Sequence, residues 1–373
     1  MESSGTTPGA AVPASDLADL FAGPIEGQYA TVYLTTDAAV ENAAQRNETR
    51  WKGVRRALAD AGAPDDVLGA IDPLIADAHH EGATLAVVAN AARGIVTVDH
   101  LQSPPRGDAY RWAPLPWVGP IIEARQSAVP HIMVTADRKG ADIVVVRPGR
   151  PDVEREAGGN VDPLAKSAPG GWSQRRYQQR AENSWEENAG EVASELTNLV
   201  ERSGARLVTA TGDVRALQFL REHLPDHIDA LLELVEGDTS ELAASTVRLV
   251  DTIVAADTRA LIQKFKEERG QTDRAADGVA ATVSALNSAQ VDVLLVHDDP
   301  DDDRSLWFGD DPVTPIPIAT SPTDLKDLGV DSPTEGRLVD VLVRAAAGTG
   351  ASVRIVPKAG GPTESVGAVL RWS

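Results

Sequence analysis

Apolar residues recur along this chain with two periods, and the changes of period mark its elements. Residues 29–34 (YATVYL) alternate and predict a strand. Residues 41–61 and 65–79 carry helical spacing. A strand pair is expected at 84–88 and 94–98. The prolines that follow (Pro104, Pro105, Pro114, Pro116, Pro120) read as an interdomain connection. Two more strands, 132–136 and 141–147, flank Asp137-Arg138-Lys139-Gly140, a tight polar turn that signals a hairpin. Residues 148–171 are poor in apolar side chains and hold Gly158, Gly159, Gly170 and Gly171, so they read as a long loop.

Beyond it the helical period returns. Ala181, Trp185, Ala189, Val192, Leu196 and Leu199 share one face of a long helix that Gly204 ends. Residues 206–210 read as a buried strand, followed by a helix over 213–223 and a short strand over 230–235. Asp238 with Glu241 makes a capping box that opens a helix reaching Glu268. A helix over 273–287, a strand over 291–297, an acidic turn over 298–304, a helix over 335–349 and strands over 352–357 and 366–372 complete the chain. Strands alternating with helices predict an α/β (α+β) protein of three domains. The expected divisions are a disordered tail at 1–15, an α+β domain at 16–130, a middle domain at 131–269 with a mixed sheet and a loop at 158–174, and a compact α/β domain at 270–373.

Composition narrows the chemistry. The 373 residues contain no cysteine, which removes disulfides, thiolate metal sites and cysteine nucleophiles and fits a cytoplasmic location. No run of about 18 apolar residues occurs, so no membrane helix is expected, and residues 1–15 lack the basic start and apolar core of a signal peptide. The net charge of -21 argues against general nucleic-acid binding, DNA included. Residues 131–180 run the other way, with nine Lys and Arg against six acids, as suits contact with RNA at one place.

Within that segment lies Gly170-Gly171-Trp172-Ser173-Gln174-Arg175-Arg176-Tyr177-Gln178-Gln179-Arg180. The glycines let backbone approach a partner closely, and Gln174 offers both a donor and an acceptor. Arg176 with Arg180, and Arg175 with Gln179, stand four apart, so a helix there presents a basic ridge suited to phosphate. Trp172 and Tyr177 can stack on unpaired bases.

This order of hairpin, long loop, Gly-Gly, Gln, basic helix and long amphipathic helix resembles the archaeo-eukaryotic class-1 release factors and Pelota. The relaxed Gly-x-x-Gln, met by Gly171-Trp172-Ser173-Gln174, is similar to the bacterial branch of that superfamily, related to the Vms1/Ankzf1-type peptidyl-tRNA hydrolases and Balon-like hibernation factors. The resemblance spans about residues 132–373, including a C-terminal domain like that of class-1 release factors, where a helix feeds the VDVLLV strand and an acidic turn.

It implies a ribosome-associated protein that needs no cofactor or metal. Its partners would be rRNA and peptidyl-tRNA, and a translational GTPase is left open. Gly170, Gly171 and Gln174 would be catalytic in hydrolysing the peptidyl-tRNA ester during ribosome rescue. Trp172, Ser173, Arg175, Arg176, Tyr177, Gln179 and Arg180 would touch RNA. The alternative is a non-catalytic hibernation or stress factor occupying the A site and peptidyl-transferase centre. Trp172 and Ser173 depart from the strict Gly-Gly-Gln tripeptide, and no stop-codon-reading motif of the Asn-Ile-Lys-Ser type is present, which argues against codon-dependent termination.

Other motifs read as ordinary structure. His79-His80-Glu81 lacks H-E-x-x-H spacing and suits a helix end. Asp298–Asp303 (DDPDDD) lacks the ligand ladder of a calcium loop and reads as a solvated acidic turn. Asp137 and Asp142 read as turn residues. Neither a P-loop, nor a dinucleotide fingerprint, nor G-x-S-x-G occurs.

Overall fold

A computed structural model describes residues 11–21, 27–36, 43–77, 83–101, 107–147, 152–158, 171–271, 274–309 and 316–372; within 171–187 it describes the backbone and the side chain of Glu186. The chain is mixed α/β with several sheets, as expected. It divides into two compact units, Met1–Gln126 with Asp257–Ser373, and Ser127–Ala256. The regions expected as separate first and third domains thus share one unit, and the middle unit is shorter at its end than 131–269.

Among the described residues, two four-stranded sheets and one of three strands build the first unit. One is antiparallel in the order Gly94–Leu101, Thr84–Asn90, Tyr29–Thr35, Ala109–Ala113. Its central strands are buried on both faces. Ala30, Val32, Leu34, Leu85, Val87 and Ala89 pack under the helices Ala43–Asp60 and Asp65–Asp77, while Tyr29, Tyr33, Ala86 and Val88 meet Trp117 and Ile121. The Pro-rich stretch is therefore no free connection. Residues 109–113 are a strand, and Gly119–Ser127 is a helix whose start is buried. Leu115, Trp117 and Val118 are buried too, and this apolar run outweighs the prolines around it.

The other four-stranded sheet runs Ala275–Asp277, Val366–Leu370, Val291–Val296, Ser352–Ile355. Its last pair is parallel, as a helical crossover requires. Leu338–Gly348 supplies that helix, and every residue from Leu338 to Ala346 is buried. A small antiparallel sheet of Ile318–Ala319, Ser305–Phe308 and Thr334–Arg337 lies beside it in sequence, unforeseen because its strands are two to four residues long. The helix expected from 273 starts at Val279 instead. Gly278, at φ 86°, ends the strand Ala275–Asp277 and turns the chain.

The expected tail is likewise structured from Ala11 onward. Val12 exchanges two backbone hydrogen bonds of 2.8 Å with Val353, and Leu17 and Leu20 join the core around Leu338–Gly348.

The second unit holds a five-stranded mixed sheet, Val153–Gly158, Gly140–Val146, His131–Ala136, Leu207–Gly212, Leu232–Leu234. The hairpin 131–146 is antiparallel, and His131–Ala136 pairs parallel with Leu207–Gly212. The helices Gly171–Ser203 and Val214–His223 cover one face. Of the expected loop at 158–174, its first residue closes a strand and its last four begin a helix; residues 159–170 lie outside the described residues. The 33-residue helix Thr239–Gln271 starts in this unit, where Thr246 shares a buried hydroxyl hydrogen bond of 2.7 Å with Thr209, and ends in the other.

Candidate functional site

The helix Gly171–Ser203 contains all but one of the residues singled out in the sequence. Its buried stripe consists of Asn188, Ala189, Val192, Ala193, Leu196 and Val200, spaced by threes and fours. Glu186 is exposed. The stretch from 171 to 187 therefore precedes the stripe and at 1.5 Å per residue measures about 25 Å.

The start of the stripe is fixed against the hairpin turn. Asp137 Oδ1 accepts the N–H groups of Lys139 (2.6 Å) and Gly140 (3.0 Å), the turn role expected of it. Asn188 Nδ2 donates to the Arg138 carbonyl at 3.4 Å, and Arg138 Nε donates to Asp213 Oδ2 at 3.0 Å. Asp213 also caps the next helix through the N–H groups of Arg215 and Ala216. Desolvation acts upward on its carboxyl, yet the Ala216 N–H and Arg138 prevail and hold it below the usual range. Ala136, Asp137, Gly140, Asn188, Ala189, Val192, Ala216 and Leu220 line a small gap under this joint.

Gly171, Trp172, Ser173, Gln174, Arg175, Arg176, Tyr177, Gln179 and Arg180 all fall on the first three turns of the helix. Gly170 lies outside the described residues. Gly171–Gln174, read from sequence as loop, is the opening turn. A helix leaves its first four N–H groups without intrahelical acceptors, and its dipole makes that end positive. Backbone donors thus gather where Gln174 and the arginines begin.

Sequence reasoning missed a second cluster, in the first unit. Arg337 pairs with Asp298 (2.5 Å) and Asp340 (3.2 Å), all three side chains being almost wholly buried. Trp117 Nε1 donates to Asp298 Oδ2 at 2.8 Å, Tyr33 donates to the Trp117 carbonyl at 2.6 Å, and Arg111 lies 5.2 Å over the Trp117 ring. Asp298 is accordingly no part of a solvated turn, whereas Asp299, Asp301 and Asp303 keep at least partial exposure. Burial pushes the Asp340 carboxyl up to about 7, with Arg337 opposing and Asp298 adding to the rise. Burial likewise raises the Tyr33 phenol, helped by Asp298 and Asp340, and lowers Arg111. Arg337 stays above its usual value because Asp340 and Asp298 outweigh its desolvation. The available signal was Asp340 and Arg344 inside an otherwise apolar helix, residues that must find partners once buried. His79-His80-Glu81 lies outside the described residues.

Residues 130–271 match bacterial archaeo-eukaryotic release factor family 2. This release-factor-like segment contains the whole helix and the hairpin that anchors it. Over nearly its full length the chain is similar to the uncharacterized protein Rv2629 of Mycobacterium tuberculosis, 25% identical over 359 residues, covering 93% of this chain and 94% of that one. Among solved structures, Archaeoglobus fulgidus Pelota is 17% identical over 97% of this chain and 94% of its own, with a TM-score of 0.35. The archaeal translation termination factor aRF1 is 16% identical over 96% of each chain, with a TM-score of 0.24. Scores this low establish no shared three-dimensional arrangement. Among the described residues, no helix is long and apolar enough to cross a membrane.

Proposed function

We propose that this protein is a ribosome-associated, release-factor-like factor that hydrolyses peptidyl-tRNA, of the kind the Vms1/Ankzf1-type enzymes represent, and that it acts in ribosome rescue. The observation that supports this most is the placement of Gly171-x-x-Gln174 on the opening turn of a helix, inside the release-factor-like segment and ahead of the packed stripe. Arg175, Arg176 and Arg180 contact the phosphates of rRNA or tRNA, with Gln179 beside them, and Trp172, Ser173 and Tyr177 contact sugars and bases. Free N–H groups of the first turn, reached through Gly170 and Gly171, stabilise the oxyanion formed when water adds to the ester carbonyl. Gln174 orients that water, and the tRNA 3′-hydroxyl leaves.

Trp172 and Ser173, which part Gly171 from Gln174, favour a second reading in which the same helix start occupies the A site and peptidyl-transferase centre without chemistry, as a hibernation factor would. Peptide release from ribosomes carrying peptidyl-tRNA separates the two. Hydrolysis predicts release by the wild type and a fall of about 100-fold in Gln174→Ala. Tight association with no release would leave occupancy as the function, and equal release by the variant would remove Gln174 from the mechanism.

A further inference from the structure

The chain leaves the first unit after Gln126 and returns to it at Asp257. Both crossings meet one edge strand, Ser352–Ile355. Arg354 on that strand is 0% exposed. One of its terminal nitrogens donates to Thr258 Oγ1, and the other reaches the Gln126 backbone carbonyl at 3.5 Å. The Gln126 side chain then pairs with the next residue as a neighbouring strand would. Its Nε2 donates to the Ile355 carbonyl at 3.0 Å, and its Oε1 accepts from the Ile355 N–H at 2.9 Å. Two residues earlier, Val12 satisfies the same edge at Val353.

Covering an edge strand needs neither a buried cation nor the residue at a crossing; a short paired segment such as Val12 suffices. Full burial of a guanidinium is costly unless its N–H groups find acceptors. Here two of those acceptors belong to the last residue before one crossing and the second residue after the other. A single rigid fork therefore touches both places where the chain passes between units.

We propose that Arg354 and Gln126 form a two-point anchor that fixes both crossings on the first unit, a conformational device tying Gln126 and Thr258 to the same edge strand. Because one guanidinium serves both crossings, loosening one loosens the other.

Amide hydrogen exchange of the full chain tests this at 127–129, at 256–260 and, as a control, at Val291–Val296. Thr258→Val and Gln126→Met keep side-chain size while deleting the bonds; Arg354→Met removes the fork. Each of the first two variants is expected to speed exchange at both crossings at least about tenfold, the effect of one lost buried hydrogen bond in Thr258→Val and of two in Gln126→Met, with the control strand unchanged. Unchanged exchange at the crossings overturns the proposal, as does exchange that quickens only at the altered crossing. So does equal acceleration in Val291–Val296, which would mean a general loss of stability. Should Arg354→Met fail to fold, the other two variants decide.

Discussion

Trp117 and Asp298, 181 residues apart, are joined by an indole N–H donating at 2.8 Å to a buried carboxylate. The bond ties the stretch after the N-terminal sheet to the strand end that opens the acidic turn, within one unit. Beside it, a Cβ built on Gly119 would come 1.8 Å from Asp298 Oδ2, so only glycine leaves the carboxylate its place. Trp117→Phe keeps most of the ring packing but strips Asp298 of this donor. Urea unfolding is expected to show a loss of about 1–3 kcal/mol, the cost of a buried acceptor left unpaired; an unchanged midpoint would mean the bond contributes nothing net.

The Asp340 carboxyl, at about 7, gives the first unit a pH dependence of definite sign. Unfolded, the group ionises near its ordinary value of about 3.9. Between there and about 7 the native state holds a proton that the unfolded state has lost. The stabilisation from this group is therefore full below the lower value, declines as pH rises, and levels off above about 7, with a slope of at most about 1.4 kcal/mol per pH unit. Arg337, Asp298, Arg111 and Tyr33 are the groups that share its surroundings. Asp340→Asn stays neutral throughout, so its unfolding midpoints from about pH 5 to about pH 8 are expected to be flatter than the wild type's. Parallel curves would assign the dependence elsewhere.

Gly212 pairs with Ala136 at the ends of two parallel strands. Its φ is 136°, and an added Cβ would lie 1.8 Å from the Ala136 carbonyl oxygen. The next residue, Asp213, donates its N–H to that same oxygen at 3.0 Å and caps the following helix. Gly212→Ala is expected to cost at least about 2 kcal/mol in thermal or urea unfolding, through strain and overlap together. A neutral result would show that the strand ends can part without loss.

Much of the fold was legible where period and length agreed. The strands at 29–34, 84–88, 132–136 and 291–297, and the long helix opened by Asp238, lie within a few residues of their expected places. What escaped were elements decided by distant partners. Residues 109–113 pair with Tyr29–Tyr33, a contact no local pattern announces through flanking prolines. Val12 is apolar but alone, and its partner Val353 lies at the other end of the chain. In the candidate site the residue types and the i,i+4 ridge were readable, whereas the helix start was set a turn too late, after Gln174 instead of at Gly171, because the glycines and polar residues there offer no apolar stripe. The Asp298–Arg337–Asp340 cluster was invisible as a cluster, since its members become neighbours only on folding.

The first turns of the helix Gly171–Ser203 are the proposed RNA contact. Co-sedimentation with ribosomes across a salt series, comparing wild type with Arg175→Glu, Arg176→Glu and Arg180→Glu combined, measures this directly. The triple variant is expected to bind at least about tenfold more weakly and with a shallower salt dependence, each lost phosphate contact lowering the slope by about one. Equal binding with an unchanged slope would contradict that contact.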